Sequence, residues 1–149
     1  MTIRRVLTDK WRYRDLLLQA DEQEDMVARY LDRGTMFVLE EDAAVLAQCI
    51  VTDEGGGLLE LKSISVAPGH RKKGYGKALI RFVEQTYRNA FHTLQAGTGD
   101  SPLTIPFYRR CGFTESHRVK NFFVEHYDHP IIEGGVQLTD MVYLRKSLG

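Results

Sequence analysis

The segment Arg71-Lys72-Lys73-Gly74-Tyr75-Gly76-Lys77 constrains this chain more than any other. It follows an apolar stretch ending at Val66 and closed by Pro68-Gly69. It opens a run from Gly74 to about Phe91 in which Leu79, Phe82, Val83 and Tyr87 recur at helical spacing. A strand that turns this sharply into an amphipathic helix needs an α/β fold, with the helix packed back on a sheet. At such a junction the first amides of the helix lack partners and sit at its positive end. Glycines there cost stability relative to alanine, but they let a phosphate approach the backbone closely. Four cations in seven residues add attraction for an anion of several charges. The alternative is a solvated basic turn capping an ordinary helix; the context favours anion binding.

Two other phosphate loops do not fit. A Walker loop in the frame Gly69-x-x-x-x-Gly74 needs Lys and then Ser or Thr after Gly74, where Tyr75 stands. A dinucleotide fingerprint needs Gly or Ala at position 79, which is Leu. The anion is not a long one either: 20 Lys+Arg balance 20 Asp+Glu among 149 residues, which counts against nucleic acid as a partner. That zero conceals opposite halves. Residues 1–69 hold eight basic against thirteen acidic side chains, and residues 70–149 hold twelve against seven, so the glycine loop lies in the basic half.

No apolar run approaches the roughly 18 residues that span a bilayer, and MTIRRVLTDKW lacks a signal-peptide core; a cytoplasmic protein with no membrane partner is expected. Cys49 and Cys111 give neither a disulfide framework nor metal-ligand spacing, and His126-x-x-His129 brings too few ligands for a metal. The length suits a single domain over residues 1–149, as monomer or homodimer.

Strands lead and strand–helix alternation follows, so the class is mixed α/β (α+β) with one sheet. Ile3–Val6 is a short strand. Asp9 to about Leu31 reads as helical through Trp11, Leu16, Leu17, Met26, Val27, Tyr30 and Leu31, broken near Asp21–Asp25 and ended by Gly34. Met36–Leu39 and Val45–Val51 are strands joined at Glu41-Asp42, the second apolar enough to be buried on both faces. In Leu58–Val66 the apolar residues change parity, Leu59 and Leu61 against Ile64 and Val66. A one-residue slip near Lys62-Ser63 restores a common inward face, as a β-bulge does, whereas burial on both faces needs no slip; the pattern leaves both open. Leu94–Thr98 and Phe113–Val119 are further strands. Pro102 opens a helical stretch that Pro106 interrupts, Asn121–Gly135 is an aromatic and acidic loop, and Val136–Leu144 is the last strand.

Arg71-x-x-Gly74-x-Gly76 resembles the Arg/Gln-x-x-Gly-x-Gly/Ala signature of the GNAT superfamily of N-acetyltransferases. Glu60 through Pro68 resembles the family's bulged fourth strand, and Phe107-Tyr108-Arg-Arg-Cys-Gly112-Phe113 its second signature. The tail from Phe122-Phe123 to Asp140-Met141 resembles that of small bacterial members. The resemblance implies a central, mostly antiparallel sheet with flanking helices, in which the fourth and fifth strands part to admit acetyl-CoA. By position, backbone groups along Ile64, Ser65 and Val66 pair with pantetheine. Amides of Arg71, Lys72, Lys73, Gly74, Tyr75, Gly76 and Lys77 hold the pyrophosphate, and no metal is implied.

The implied reaction is direct transfer of acetyl to a primary amine of a polyamine, an aminoglycoside-like molecule, an amino acid or a peptide. An alkylammonium of pKa near ~10.4 must lose a proton before it attacks. Glu60 stands where the family often places a base acting through waters; its other reading is an ion pair with Lys62 or a neighbour. The Val66 N–H is placed to polarise the thioester carbonyl. Tyr108 is the acid for the leaving thiolate, or else a core aromatic with a bonded hydroxyl. Cys111 reads as structural. Gly99-Asp100-Ser101 departs from the family, which often carries an Asn there, so no contact is carried over to Asp100. Phe122, Phe123, Glu125 and Tyr127 suit a cationic acceptor through charge and cation–π attraction; Asp21, Glu22, Glu24 and Asp25, on the first helices that border the acceptor site in the family, either add to that attraction or form a solvated surface, the reading the pattern favours. The competing class is a catalytically idle CoA-binding sensor or interaction module, which needs the glycine loop but neither Tyr108 nor Glu60.

Overall fold

The computed structural model describes residues 1–149. The chain forms strands β1 (Thr2–Val6), β2 (Thr35–Glu41), β3 (Ala44–Asp53), β4 (Leu58–Val66), β5 (Thr93–Gly99), β6 (Thr114–Val119), β7 (Ile132–Glu133), β8 (Val136–Gln137) and β9 (Met141–Ser147). The helices are α1 (Arg14–Ala20), α2 (Glu24–Leu31), α3 (Tyr75–Tyr87), α4 (Ile105–Arg110) and α5 (Phe122–His126). Seven strands make one sheet in the order β1-β2-β3-β4-β5-β9-β6, and β7 with β8 is a separate hairpin. Every neighbouring pair in the sheet is antiparallel except β4 and β5.

The two faces are covered differently. Helix α3 lays Leu79, Ile80 and Val83 on a core of Phe37, Leu39, Cys49, Val51, Leu59, Leu61, Leu94, Ala96, Val142 and Leu144. On the opposite face, Leu17 of α1 and Val27, Tyr30 and Leu31 of α2 cover Val6, Met36, Val38 and Ile50. Strand β3 contributes to both cores, which explains its nearly unbroken apolar sequence. Gly34 lets the end of α2 meet β3, because a Cβ there would sit 2.4 Å from Ile50 Cγ2 and 2.8 Å from the Tyr30 carbonyl.

The parity change in β4 is a bulge. Ile50 faces Ser63 and Val51 faces Leu61, so Lys62 has no partner on β3. The slip returns Ile64 and Val66 to the core that holds Leu59 and Leu61. It also ends the pairing with β5, which runs only from Leu58–Leu61 to Thr93–Ala96. Past that point Ser63–Val66 and Gly97–Gly99 are the two arms of a V.

Four sequence expectations need correction. Trp11 lies in a 3-10 turn (Lys10–Tyr13) and is 39% exposed rather than on a buried helix face. Pro106 begins α4 instead of interrupting a helix, because a first-turn residue has no intrahelical acceptor to lose. The last strand is not continuous from Val136. Leu138 turns in to join Phe123 and Ile131, Thr139 is tied to Asp100, and β9 starts only at Met141. The aromatic segment before it is no plain loop, since it contains α5 and β7.

Candidate active site

The V is open on its β4 arm. The amide of Ala67 donates to the Leu46 carbonyl on β3. Because amides alternate sides along a strand, those of Val66 and Ile64 point the other way, into the gap. Ser65 faces outward from the core: its hydroxyl donates to the Leu16 carbonyl at 2.5 Å and accepts from Gln48 at 3.0 Å.

At the mouth of the V, no backbone amide from Arg71 to Lys77 donates a hydrogen bond within the protein. Gly74 caps α3 with φ 87°, a left-handed conformation that side chains resist. Gly76 is needed for a different reason: a Cβ there would lie 3.1 Å from the Phe107 ring, so its absence lets α4 approach α3. Side chains around the loop are partly engaged. Arg71 Nη2 donates to Gln19 Oε1 at 2.6 Å, and the Tyr75 hydroxyl donates to Glu41 at 2.5 Å, while Lys72, Lys73 and Lys77 are exposed. Beside the loop a cavity of about 250 Å³ between α3 and α4 is lined by Lys77, Arg81, Arg110 and Lys146 against the single carboxylate of Glu84. Unpaired amides and clustered cations together suit a polyanion better than they suit a plain helix cap.

Tyr108 is buried on α4, edge-on to Phe107 at 5.3 Å and to Phe113 at 5.5 Å. Its hydroxyl forms no hydrogen bond within the protein, and burial, with smaller contributions from Cys111 and Glu133, holds the phenol above its ordinary value. The group therefore stays protonated at neutral pH and has its proton free to offer. Cys111, beside it, is also held above its ordinary value by burial, despite Lys77 and Lys146. Glu60 lies on the opposite face of the sheet, 4% exposed, with both oxygens occupied. Lys62 Nζ stands 2.6 Å from one and Gln95 Nε2 donates to the other at 2.5 Å. Arg145 Nε in turn donates to Gln95 Oε1 at 2.7 Å, extending a polar row from β4 across β5 to β9.

A V between a bulged β4 and β5, with free amides at its mouth, is the architecture the glycine signature implied. A family model for the acetyltransferase (GNAT) domain matches residues 32–115. The chain belongs to the GNAT acetyltransferase family. It is 33% identical over 136 residues to the uncharacterized N-acetyltransferase YvbK of Bacillus subtilis (strain 168), covering 90% of this chain and 88% of that protein. Its fold matches a GNAT family acetyltransferase from Elizabethkingia anophelis, solved with acetyl-CoA bound, at a TM-score of 0.92 and 28% identity, covering 98% and 97% of the two chains. A Bacillus subtilis acetyltransferase in complex with CoA matches at 0.88 and 31% identity, over 97% of each chain. This GNAT protein is an N-acetyltransferase whose co-substrate is acetyl-CoA.

Residues 121–140 form a strap running from β6 to β9. Asp100, beyond β5, receives the Thr139 amide at 3.0 Å and the Thr139 hydroxyl at 2.9 Å, which anchors one end. At the other side the Tyr127 hydroxyl donates to Asp21 Oδ1 at 2.8 Å, and the Asp128 amide donates to Gln23 Oε1 at 3.2 Å, so the strap crosses to the α1–α2 junction. The sequence candidates on it divide. Phe123 is buried with Ile131 and Leu138, Phe122 is partly buried and stacks on His126 at 4.4 Å, Tyr127 is bound to Asp21, and Glu125 is exposed. Asp21, which the sequence favours as a solvated surface acid, is instead partly buried and bonded to Tyr127. The available signal was that Asp21 falls at the break between two helices, where a side chain is released from either helix face. No group of three or more His, Cys, Asp or Glu side chains with metal-binding geometry is present, and no helix is long and apolar enough to cross a membrane.

Proposed function

We propose that this acetyltransferase acetylates the primary amine of a small cationic molecule or peptide, by direct transfer from acetyl-CoA. The observation that carries the acceptor reading is that two carboxylates without a cation lie beside the strap and Tyr108. Acids without a cation within 4 Å occur across the chain, but two of them stand by the site: Asp21, which accepts from the strap's Tyr127, and Glu133, which acts on the Tyr108 phenol. Carboxylates left without a cation at the rim of a cleft favour a positively charged ligand. The aromatic faces of Phe122 and Tyr127 add to that preference.

The roles follow from placement. The amides of Ile64 and Val66, with Ser65 between them, offer a strand edge to pantetheine, and the amides of Arg71, Lys72, Lys73, Gly74, Tyr75, Gly76 and Lys77 receive the pyrophosphate. The Val66 N–H polarises the thioester carbonyl. Tyr108 offers its hydroxyl to the departing sulfur. A phenol held above ~10 does not surrender its proton fully to a thiolate of roughly 8.5, so its contribution is the hydrogen bond made as charge develops. For Glu60 to act as base, Lys62 must first release it; as it stands, the pair presents a neutral floor to the acceptor.

Thiol release tests this reading with spermidine, an aminoglycoside, free amino acids and a lysyl peptide as acceptors. At least one is expected to release CoA, and acetyl-CoA is expected to raise the melting temperature. Stabilisation by acetyl-CoA with no thiol released from any amine would favour the idle CoA-binding module instead.

A further inference from the structure

We propose that the acceptor is an α-amino acid, its carboxylate held by Arg145 while its amine enters the V. This rests on the amine-transfer reading above and names the kind of amine within it; the ammonium is the positive end of such an acceptor.

The two faces of the sheet leave one approach. Tyr108, with Leu79, Ile80 and Val83 of α3, seals the face that carries Leu94, Ala96, Val142 and Leu144. Since Tyr108 meets the leaving sulfur from that face, the amine arrives from the other. There α1 and α2 cover β1, β2 and β3, and beyond them β5, β9 and β6 present their own side chains. Register fixes which ones. Glu60, Gln95 and Arg145 stand in one row, and Gly97, Tyr143 and His117 in the next, one step toward the open end of the V. Arg145 and His117 are exposed and Tyr143 is partly so.

The first row aims Arg145. Glu60 accepts from Gln95 Nε2 at 2.5 Å, which turns the amide oxygen of Gln95 toward Arg145, where it accepts from Nε at 2.7 Å. Gln95 is buried, so the guanidinium is anchored to a fixed, neutral partner and keeps its whole charge. The nearby carboxylates are engaged elsewhere, Glu60 with Lys62 at 2.6 Å and Glu54 with Arg33 at 2.9 Å. With Nε bound, the two Nη groups remain as a two-pronged donor, the geometry that receives a carboxylate.

The second row supplies a wall. The Tyr143 ring stacks on His117 at 4.8 Å and leans over Gly97, where a Cβ would lie 2.9 Å from Tyr143 Cε1 and 3.3 Å from Cδ1. The far end of the ring thus reaches the first residue of β5 past its pairing with β4. From Gly97 back to Gln95 is two residues of strand, about 7 Å. An α-amino acid spans this, with about 3 Å between amine and carboxylate and roughly 3 Å more for the hydrogen bond to the guanidinium. A polyamine or an aminoglycoside has no group for the fork.

The test uses amines that differ only in the α-carboxylate, phenylalanine beside phenethylamine and lysine beside cadaverine, followed by thiol release. In at least one pair the amino acid is expected to exceed its partner 10-fold or more in kcat/KM. Arg145→Gln should lower kcat/KM for that amino acid about 10- to 100-fold, mainly through KM, and bring the ratio within the pair near one; Arg145→Lys should restore only part. A merely structural role would lower both members equally, and that result overturns the proposal. Tyr143→Ala should raise KM for both members and keep their ratio; a ratio lost in this variant removes recognition from the fork and also overturns it. A wild type that releases CoA with cadaverine or spermidine and favours neither amino acid overturns the carboxylate reading alone. A wild type silent on every amine overturns amine transfer with it.

Discussion

The glycine loop at Arg71–Lys77 and the strap at residues 121–140 are held in opposite ways. The loop presents seven amides that bond to nothing in the protein. The strap is fastened at both ends by side chains, through Asp100 to Thr139 and Asp21 to Tyr127. A backbone cradle recognises any ligand with the same phosphates and tolerates substitution of its side chains. A side-chain clasp depends on particular residues and does not tolerate their loss.

The largest effect should come from blocking the backbone. Gly74→Val forces a β-branched residue to φ near 87°, which disorders the amides that follow. Acetyl-CoA affinity is expected to fall by about 100-fold or more, roughly 2.7 kcal/mol, measured by calorimetric titration. Retained affinity would mean that the amides do not hold the pyrophosphate. Next comes Tyr108→Phe, which keeps the ring packed on Phe107 and Phe113 and removes only the unbonded hydroxyl. A loss of about 100-fold in kcat is expected with acetyl-CoA affinity unchanged, checked by steady-state kinetics beside the titration. Equal losses in both would make Tyr108 part of the binding wall.

This contrast also explains what was legible in the sequence. The loop could be read because glycines and cations at a strand–helix junction encode a backbone conformation locally. The bulge could be read as one of two options, because period-2 patterning records which face each residue occupies, and Lys62 breaks it. The strap could not be read in the same way. Phe123 looks like a ligand-facing aromatic, yet it packs on Ile131 and Leu138, and only tertiary folding brings those together. Val136–Leu144 alternates well enough for one strand, but Thr139 is drawn off by Asp100, 39 residues earlier. Asp21 carries no local mark of being joined to Tyr127, 106 residues away. Side-chain clasps across such separations leave almost no periodic trace.

A smaller effect, confined to the strap, is expected from Asp100→Ala. Burial opposes its charge, but the amide and hydroxyl of Thr139 outweigh that and hold the carboxyl below its ordinary value. Such a group stabilises the fold above its unfolded pKa, and that contribution disappears as pH falls through the lower folded value. The variant should lose about 1–2 kcal/mol at pH 7 by urea denaturation. The gap from wild type should narrow as pH drops below roughly 4. Acceptor KM should rise while acetyl-CoA affinity holds; a fall in acetyl-CoA affinity would show that the two closures are not independent.

The smallest effect tests the comparison most directly. Lys73 is exposed and forms no ion pair, so it contributes to the cradle only as a screened charge near the ligand. If the amides do the holding, Lys73→Ala should weaken acetyl-CoA binding by less than about 3-fold at physiological salt, and the difference should shrink further as salt is raised. A tenfold loss that persists at high salt would place recognition in the side chains. Loop and strap would then be two clasps of the same kind, and tolerance of substitution would have to be explained elsewhere in the V.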